Sequence, residues 1–359
     1  MPHEPPRILI LRLSALGDIV HALPVLAAIK RRWPEARVGW LVEPMGRALL
    51  DANPLISRIH VVPKKAMKSD PLGALRGPIP ELRRELLAER YDISIDIQGL
   101  TKSAVWGWLA RAPRRIGFAG RQSRELATVL NNERVAPPPE ALHVVEKNLA
   151  LLGPLGVDPL PIEFPLHLPE SARTRAGQVM AGAVPVAILN PGAGWATKRW
   201  PAERFGLLAR ELVNRHGLRA VFSWGPGEEP LVEAALAAAG SAGWSPSAAP
   251  IPAAPGMYAL PKTTIAELAA CIARASLFVG GDTGPTHIAA ALGIPTVTMM
   301  GPLDARRNGP YGPHCRTIQH GVPRRAPFWR NHRHWCDPAT DLNKVEVAEV
   351  LAACDEMLS

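Results

Sequence analysis

Residues 7–32 read RILILRLSALGDIVHALPVLAAIKRR, and this stretch decides the fold class. Residues 7–13 form a short apolar run typical of a buried parallel strand, and residues 19–32 carry apolar side chains at helical spacing. A tryptophan–proline pair then ends the predicted helix. The turn SALGD at residues 14–18 joins the two elements, so the chain begins as a strand–turn–helix unit of an α/β sheet.

The same alternation continues through the first half of the chain and restarts in the second half. Alternating strands and helices are typical of a doubly wound parallel sheet. The further predicted strands lie at residues 38–42, 59–62, 93–97, 185–189, 218–224, 276–279 and 295–300, and the further helices at 79–89, 102–109, 202–214, 231–239, 264–274, 286–292 and 344–358. The sequence therefore predicts an α/β protein with two Rossmann-like parallel-sheet domains.

A proline-rich stretch divides the two halves. Prolines recur from residue 154 to residue 169 without sustained periodicity, and 359 residues exceed what one hydrophobic core usually supports. We predict a central cleft between two domains, and loops at residues 64–73 and 240–261. The predicted organisation is a first domain at 1–165, a linker at 166–184, a second domain at 185–342 and a terminal helix at 343–359.

The composition indicates a folded protein with a basic surface. Apolar residues make up 47% of the chain and charged residues 20%, which excludes wholesale disorder. The formal net charge of +9 favours polyanionic partners such as nucleic acid, an anionic membrane surface or a phosphorylated substrate. Because the basic residues are dispersed, aromatic residues make up 5% and no nucleic-acid-binding module is legible, we expect no nucleic-acid partner.

The sequence also predicts the compartment. No run approaches about eighteen uninterrupted apolar residues, and the N-terminus lacks the basic, apolar and cleavage regions of a signal peptide. The four cysteines form no CxxC pair, which favours a reducing compartment. We therefore expect a cytoplasmic protein.

Metal-type ligands gather in one basic segment near the C-terminus. Their spacing matches no zinc signature, so we interpret the segment as a basic loop with isolated imidazoles and predict no metal site. The residues concerned are His314, Cys315, His320, His332, His334 and Cys336.

Asp18 is the informative residue of the first turn. The turn lacks the GxGxxG fingerprint of dinucleotide enzymes, which counts against an NAD or FAD oxidoreductase. Gly17 would let the backbone approach a ligand at the N-terminus of the following helix, where an anion is favoured. One interpretation of Asp18 is a helix N-cap, and the other is a general base that takes a proton from an incoming hydroxyl.

A glycine-containing loop follows the first predicted strand of the second half. It reads NPGAG at residues 190–194, where Asn190 ends the strand and Gly192 would let backbone amides approach an oxygen-rich ligand. Lys198 precedes the next helix and could reach the same phosphates as a point charge. The alternative is a solvated lysine.

A second loop, GGDTGPTH at residues 280–287, also follows a strand and opens a helix. Thr283 and the amides around Gly284 could bind a pyrophosphate at the positive helix end, and His287 could add an imidazole contact. The structural alternative is a cap formed by Asp282 or Thr283 with a buried His287.

Four blocks in order carry a resemblance to glycosyltransferase family 9, the bacterial lipopolysaccharide heptosyltransferases. The Asp-x-Gln-Gly-Leu and Asp-Thr-Gly blocks look closer to heptosyltransferase I, whereas NPGA looks more like heptosyltransferase II, so the subtype stays open. The blocks are LSALGDIVH at residues 13–21, DIQGLTKS at 96–103, KRWP at 198–201, and Asp282-Thr283-Gly284 with His287.

The resemblance implies a GT-B fold and metal-independent, inverting transfer of L-glycero-D-manno-heptose from ADP-heptose to the Kdo–lipid A inner core. It makes Asp18 the catalytic base and the first domain the acceptor-binding domain. We expect no cofactor, a monomer, and peripheral association with the cytoplasmic face of the inner membrane through a phosphorylated glycolipid acceptor. The implied donor contacts are Lys198, Glu228, Asp282, Thr283, Gly284 and His287. From the loop after the strand we also expect Asn190 and Gly192 to contact the donor, and the expected acceptor contacts are Lys64, Lys102 and Arg124.

Three other functions remain open on the residues alone. The enzyme could use another nucleotide sugar or acceptor within the family. A nucleotide-sugar 2-epimerase would also use two such domains but needs no acceptor. A basic, non-enzymatic polyanion-binding protein would use the positive charge alone.

Overall fold

The structure is a computed structural model that describes residues 4–120, 125–241, 250–321 and 338–359. The chain divides into two compact units, Met1–His167 and Leu168–Ser359. Each unit is built around its own six-stranded parallel sheet. Among the described residues, no helix combines the length and the apolar character that crossing a bilayer requires.

The first unit alternates strands and helices from its first element onward. Its strands are β1 Arg7–Leu11, β2 Arg37–Val42, β3 Arg58–Val61, β4 Ile93–Asp96, β5 Arg114–Phe118 and β6 Glu133–Val135. They lie in the order β3-β2-β1-β4-β5-β6. Its helices are α1 Leu16–Val20, α2 Leu23–Arg32, α3 Pro44–Arg47, α4 Lys64–Ser69, α5 Pro71–Arg76, α6 Pro78–Glu89, α7 Thr101–Leu109, α8 Ala127–Leu130 and α9 Val144–Ala150.

Strand β1 lies at the centre of the first sheet, paired with β2 on one side and β4 on the other. Ile8, Leu9, Ile10 and Leu11 are all fully buried. A strand covered on both faces needs apolar side chains at consecutive positions, because alternate residues point to opposite faces. This is why the continuous apolar run marks the centre of the sheet.

The second unit repeats the architecture. Its strands are β7 Val186–Asn190, β8 Arg219–Phe222, β9 Gly256–Ala259, β10 Leu277–Gly281, β11 Thr296–Met299 and β12 Cys315–Ile318, in the order β12-β11-β10-β7-β8-β9. Its helices are α10 Glu170–Val179, α11 Ala202–His216, α12 Glu229–Ala238, α13 Ile265–Ile272, α14 Gly284–Ala291, α15 Ala305–Asn308 and α16 Val347–Leu358.

The C-terminal helix α16 belongs to the core of the second unit. Val350, Leu351 and Cys354 are buried in the same cluster as Trp200. The Trp200 indole N–H donates to the carbonyl of Val345 at 2.9 Å, which fixes the entry into the helix. The packing partner of the predicted terminal helix is therefore the second sheet with α11.

Two predicted irregular segments contain helices. The predicted linker at 166–184 includes α10, whose buried face consists of Ala172, Ala176 and Val179. Small alanines leave a weak apolar signal, which is why the sequence pattern concealed this helix. The predicted loop at 64–73 lies within α4 and α5.

In each sheet all strands run parallel, so their carboxyl ends meet at one edge. The loops that follow the strands at this edge carry the predicted functional residues of each unit.

Candidate functional site

Asn190 joins three loops at the carboxyl edge of the second sheet. It ends β7 and lies in register with Gly280 of β10. Its side-chain amide donates to the carbonyl of Gly192 at 2.9 Å and to the Thr283 hydroxyl at 3.5 Å. Its side-chain oxygen accepts a hydrogen bond from Ser223, after β8, at 3.0 Å. The residue predicted to contact the donor therefore also holds the loops of this edge together.

Lys198, Asp282 and His287 form one charged cluster. The Lys198 ammonium lies 2.6 Å from Oδ2 of Asp282, and Nε2 of His287 lies 3.2 Å from Oδ1. Lys198 also lies 4.6 Å above the ring of Trp195, a cation–π contact. The Lys198 side chain is 15% exposed, so the solvated-lysine alternative is wrong. The sequence does not predict the contact between Trp195 and Lys198, because this contact depends on how the loop after β7 folds.

Asp282 is buried, yet the groups around it favour the ionised form of its carboxyl group. Burial alone would raise the pKa of its carboxyl group. The hydrogen bond from His287 and the charge of Lys198 outweigh that effect and hold the pKa below its ordinary value. The cluster therefore carries a fixed carboxylate that orients the lysine and the imidazole.

Thr283 occupies the N-cap position of α14, but its side chain forms no capping hydrogen bond. Its hydroxyl lies 3.2 Å from the hydroxyl of Thr286, which in turn donates to the carbonyl of Gly281. Gly284 begins the helix directly after Thr283, and Pro285 contributes no N–H to the positive end of the helix. His287 is buried, as the structural alternative expected, and it also belongs to the charged cluster.

Glu228 lies after β8 and is fixed by its own loop. Its Oε2 accepts the backbone N–H of Gly225 at 2.8 Å. A Cβ atom at Gly192 would lie 2.1 Å from the same oxygen. A side chain at position 192 would therefore displace the Glu228 carboxylate, which occupies that space. The sequence predicts that both residues contact the donor, but it does not predict that they contact each other.

In the first unit, Asp18 lies in the first turn of α1 and is not its N-cap, since Ala15 takes that position. Its Oδ2 accepts the backbone N–H of Ala15 at 3.1 Å and forms an ion pair with Arg12 at 2.6 Å. The Asp18 side chain is 40% exposed. Among the described residues both contacts go to Oδ2, so Oδ1 is the oxygen available to a substrate.

Arg12 is a site residue that sequence reasoning missed. It is buried, and its second terminal nitrogen donates to the carbonyl of Ile97 at 3.2 Å. The next backbone N–H, of Leu13, donates to the side chain of Gln98 at 2.8 Å. The loop after β4 therefore supports the turn that carries Asp18. A single arginine inside an apolar run was the available signal.

Asp96 shapes that supporting loop. It is fully buried, and its Oδ1 accepts the backbone N–H groups of Gln98 at 3.2 Å and Gly99 at 3.1 Å. Asn131 donates to its Oδ2 at 3.2 Å. Burial raises the pKa of Asp96, and these hydrogen bonds oppose the shift. The DIQGL block thus has a structural role beside the candidate base.

The predicted acceptor lysines converge on a glutamate that the sequence analysis did not single out. The Lys64 ammonium lies 2.5 Å from one carboxylate oxygen of Glu43, and the Lys102 ammonium lies 3.6 Å from the other. Glu43 follows β2 and is 7% exposed as a residue. Arg124 lies outside the described residues.

The structure describes only part of the segment at residues 314–336, for which the sequence predicts no metal site. His320 contacts Glu349 at 2.9 Å, and burial raises the pKa of the Cys315 thiol to about 11. No group of metal-type ligands occurs within the ranges that the structure describes. His332, His334 and Cys336 lie outside those ranges.

Comparison with known proteins supports the resemblance. Residues 79–331 match the sequence model of glycosyltransferase family 9 (heptosyltransferase). Lipopolysaccharide heptosyltransferase 1 of Pseudomonas aeruginosa is 30% identical over 316 residues, which cover 85% of this chain and 81% of that protein. Lipopolysaccharide heptosyltransferase 3 of Escherichia coli is 27% identical over 355 residues, covering 95% and 96%.

Solved structures share the fold. The E. coli heptosyltransferase WaaC with ADP-2-deoxy-2-fluoro heptose superposes with a TM-score of 0.75 at 24% identity, covering 98% of this chain and 99% of that chain. A family 9 glycosyltransferase of Veillonella parvula gives a TM-score of 0.81 at 22% identity, covering 100% and 98%. The predicted GT-B class of two Rossmann-like domains is thereby confirmed. Both by its family match and by its relatives, the chain belongs to glycosyltransferase family 9, the heptosyltransferases.

Proposed function

We propose that this glycosyltransferase moves L-glycero-D-manno-heptose from ADP-heptose to the Kdo–lipid A inner core of lipopolysaccharide, with inversion at the anomeric carbon. Family membership and the names of its relatives support the reaction class. The observation that carries the proposal is the Lys198–Asp282–His287 cluster beside Thr283 and the N-terminus of α14. This arrangement suits a diphosphate leaving group.

The second unit would bind the donor and stabilise the leaving group. As the bond between the sugar and the diphosphate breaks, negative charge grows on the ADP oxygens. The Lys198 ammonium and the amides that begin α14 can stabilise that charge, and the Thr283 hydroxyl can donate to a phosphate oxygen. Asn190, Gly192, Glu228, Gly284 and His287 complete the proposed donor site.

The first unit would supply the base. In a single displacement, the acceptor hydroxyl attacks the anomeric carbon opposite the departing ADP and gives its proton to a carboxylate. Oδ1 of Asp18 is the proposed proton acceptor, because Arg12 and the Ala15 amide already occupy Oδ2. The reaction requires Asp18 to reach the hydroxyl while the second unit holds the donor.

Lys64, Lys102 and Arg124 are the proposed acceptor contacts. Both lysines pair with Glu43. A phosphate or a Kdo carboxylate of the acceptor would compete with Glu43 for them, because a lysine ammonium binds any such anion as a point charge. We further propose that the enzyme acts as a monomer without metal or other cofactor, at the cytoplasmic face of the inner membrane.

Incubation of purified protein with ADP-heptose and a heptose-deficient lipid A core tests this proposal. We expect ADP release that depends on the acceptor and persists in EDTA, and a product heavier by one heptose in mass spectrometry. Transfer from another nucleotide sugar but not from ADP-heptose would contradict the donor assignment. Sugar turnover that needs no acceptor would contradict the transferase assignment.

A further inference from the structure

Two consecutive helices of the first unit expose large apolar side chains. Leu72 and Leu75, one turn apart on α5, are 71% and 60% exposed, and Met67 on α4 is 39% exposed. The Asp70 carboxylate accepts the N–H of Gly73 at 2.9 Å and so caps the N-terminus of α5, the helix that carries both leucines. Residues 64–76, here named the α4–α5 segment, therefore present three large apolar side chains to solvent from two short helices.

Basic residues flank these apolar side chains along the sequence. Lys65, Lys68 and Arg76 are exposed. Within the described parts of the chain, none of these three forms a salt bridge, in contrast to Lys64 with its Glu43 partner. The Asp70 carboxylate is engaged as the α5 cap. With four basic residues and one carboxylate, residues 64–76 combine a net positive charge with exposed leucine and methionine side chains.

We propose that the α4–α5 segment is a docking surface for an anionic lipid bilayer. Short helices that carry both large apolar and basic side chains lie in the membrane interface, with the apolar side chains at the acyl boundary and the charges at the headgroups. An apolar face alone would suit many partners. The flanking lysines and arginine favour a negatively charged surface. The overall net charge of +9 also attracts the protein to such a surface.

The position of the segment connects it with the candidate base. Helix α4 follows β3 at the carboxyl edge of the first sheet, where the Asp18 turn follows β1. Lys64 contacts Glu43, and the backbone N–H of Glu43 donates to the carbonyl of Leu13 at 2.9 Å. Docking through this segment would bring the edge that carries Asp18 toward the bilayer. The inference thus deepens the proposed function, because a lipid-anchored acceptor lies at that surface.

Cosedimentation of the full-length protein with lipid vesicles tests the proposal. The vesicles contain phosphatidylcholine alone or with phosphatidylglycerol, and no acceptor. We expect binding to the anionic vesicles that weakens with added salt. The double variant Leu72→Ser/Leu75→Ser should bind at least about tenfold more weakly, and Lys65→Gln/Lys68→Gln up to about thirtyfold more weakly.

A matched control uses exposed leucines elsewhere in the same unit. Leu142 and Leu160 are 55% and 60% exposed, so Leu142→Ser/Leu160→Ser removes the same chemistry outside the segment. It should bind vesicles as the wild type does, and all variants should keep the wild-type melting temperature. Equal vesicle binding by wild type and Leu72→Ser/Leu75→Ser, or equal weakening in the control, would overturn the proposal.

Turnover assays separate this inference from the proposed function. Leu72→Ser/Leu75→Ser should keep wild-type turnover with a water-soluble acceptor that lacks acyl chains and lose turnover with a vesicle-embedded acceptor. Vesicle binding without transfer to either acceptor would refute the proposed function and leave the docking surface standing. Transfer to the soluble acceptor without vesicle binding would refute the docking surface alone.

Discussion

A buried arginine governs the orientation of the candidate base. Arg12 pairs with Oδ2 of Asp18 at 2.6 Å and donates to the carbonyl of Ile97 at 3.2 Å. Such a planar, multidonor group fixes a carboxylate better than a lysine ammonium, which acts as a point charge. We therefore propose that Arg12 is a positioning residue, which would act on the substrate through Asp18.

Replacing Arg12 tests this role. Arg12→Lys should lower kcat by about tenfold to a hundredfold, because a base displaced by an ångström loses its geometry. The KM for ADP-heptose should stay unchanged, since the donor site lies in the other unit. Steady-state kinetics with each substrate varied measures both values, and the melting temperature reports folding. An Arg12→Lys enzyme with wild-type kcat would show that the ion pair has no positioning role.

At the scale of elements, neighbouring strands decide which loops meet. Because β8, β7 and β10 are adjacent in the second sheet, Glu228, Asn190 and Asp282 lie on neighbouring loops although they are distant in sequence. The fit between two of these loops is close at Gly192, where the Glu228 carboxylate occupies the place of a Cβ atom.

Gly192→Ala therefore should displace Glu228 and weaken donor binding. Loss of the hydrogen bond between the Glu228 carboxylate and the nucleotide would cost about 1.5–3 kcal/mol, so we expect the Kd for ADP to rise by about tenfold to a hundredfold. Gly194→Ala is the matched control, because a Cβ atom there meets nothing within 4 Å. Calorimetric titration of ADP compares the two variants. Identical ADP affinity in both would indicate that the position of Glu228 does not matter for binding.

The sequence predicted the elements with strong periodicity and missed those without it. The run of apolar residues identified β1 as a strand, and the two glycine-containing loops that the sequence placed in one domain follow the neighbouring strands β7 and β10. The alanine-faced α10 escaped detection because its apolar signal is weak. The Asp70-Pro71 pair, a typical helix start, was the available signal for α5.

The site residues that sequence reasoning missed depend on contacts between distant segments. Glu43 contacts two lysines from the helices α4 and α7, and Trp195 contacts the ammonium of Lys198 through its ring. No local pattern encodes such convergence. Arg12 differs, since a charge within a buried strand-like run already calls for a partner.

At the scale of the whole molecule, the proposed mechanism divides the chemistry between the two units. The first unit carries one partly exposed carboxylate on a supported turn, and the second carries a lysine and a helix N-terminus suited to a diphosphate. Inverting transfer needs one base and one set of leaving-group stabilisers, so this division is sufficient for the reaction.

Paired measurements of ADP affinity and turnover on Asp18→Asn and Lys198→Ala test this division most directly. Asp18→Asn should bind ADP as the wild type does while its turnover falls by about a hundredfold to ten-thousandfold. Lys198→Ala should bind ADP about tenfold to a hundredfold more weakly, because a charge-assisted contact to phosphate is lost. Melting temperatures establish that both variants fold. Wild-type turnover by Asp18→Asn, or wild-type ADP affinity in Lys198→Ala, would contradict the division of roles between the two units.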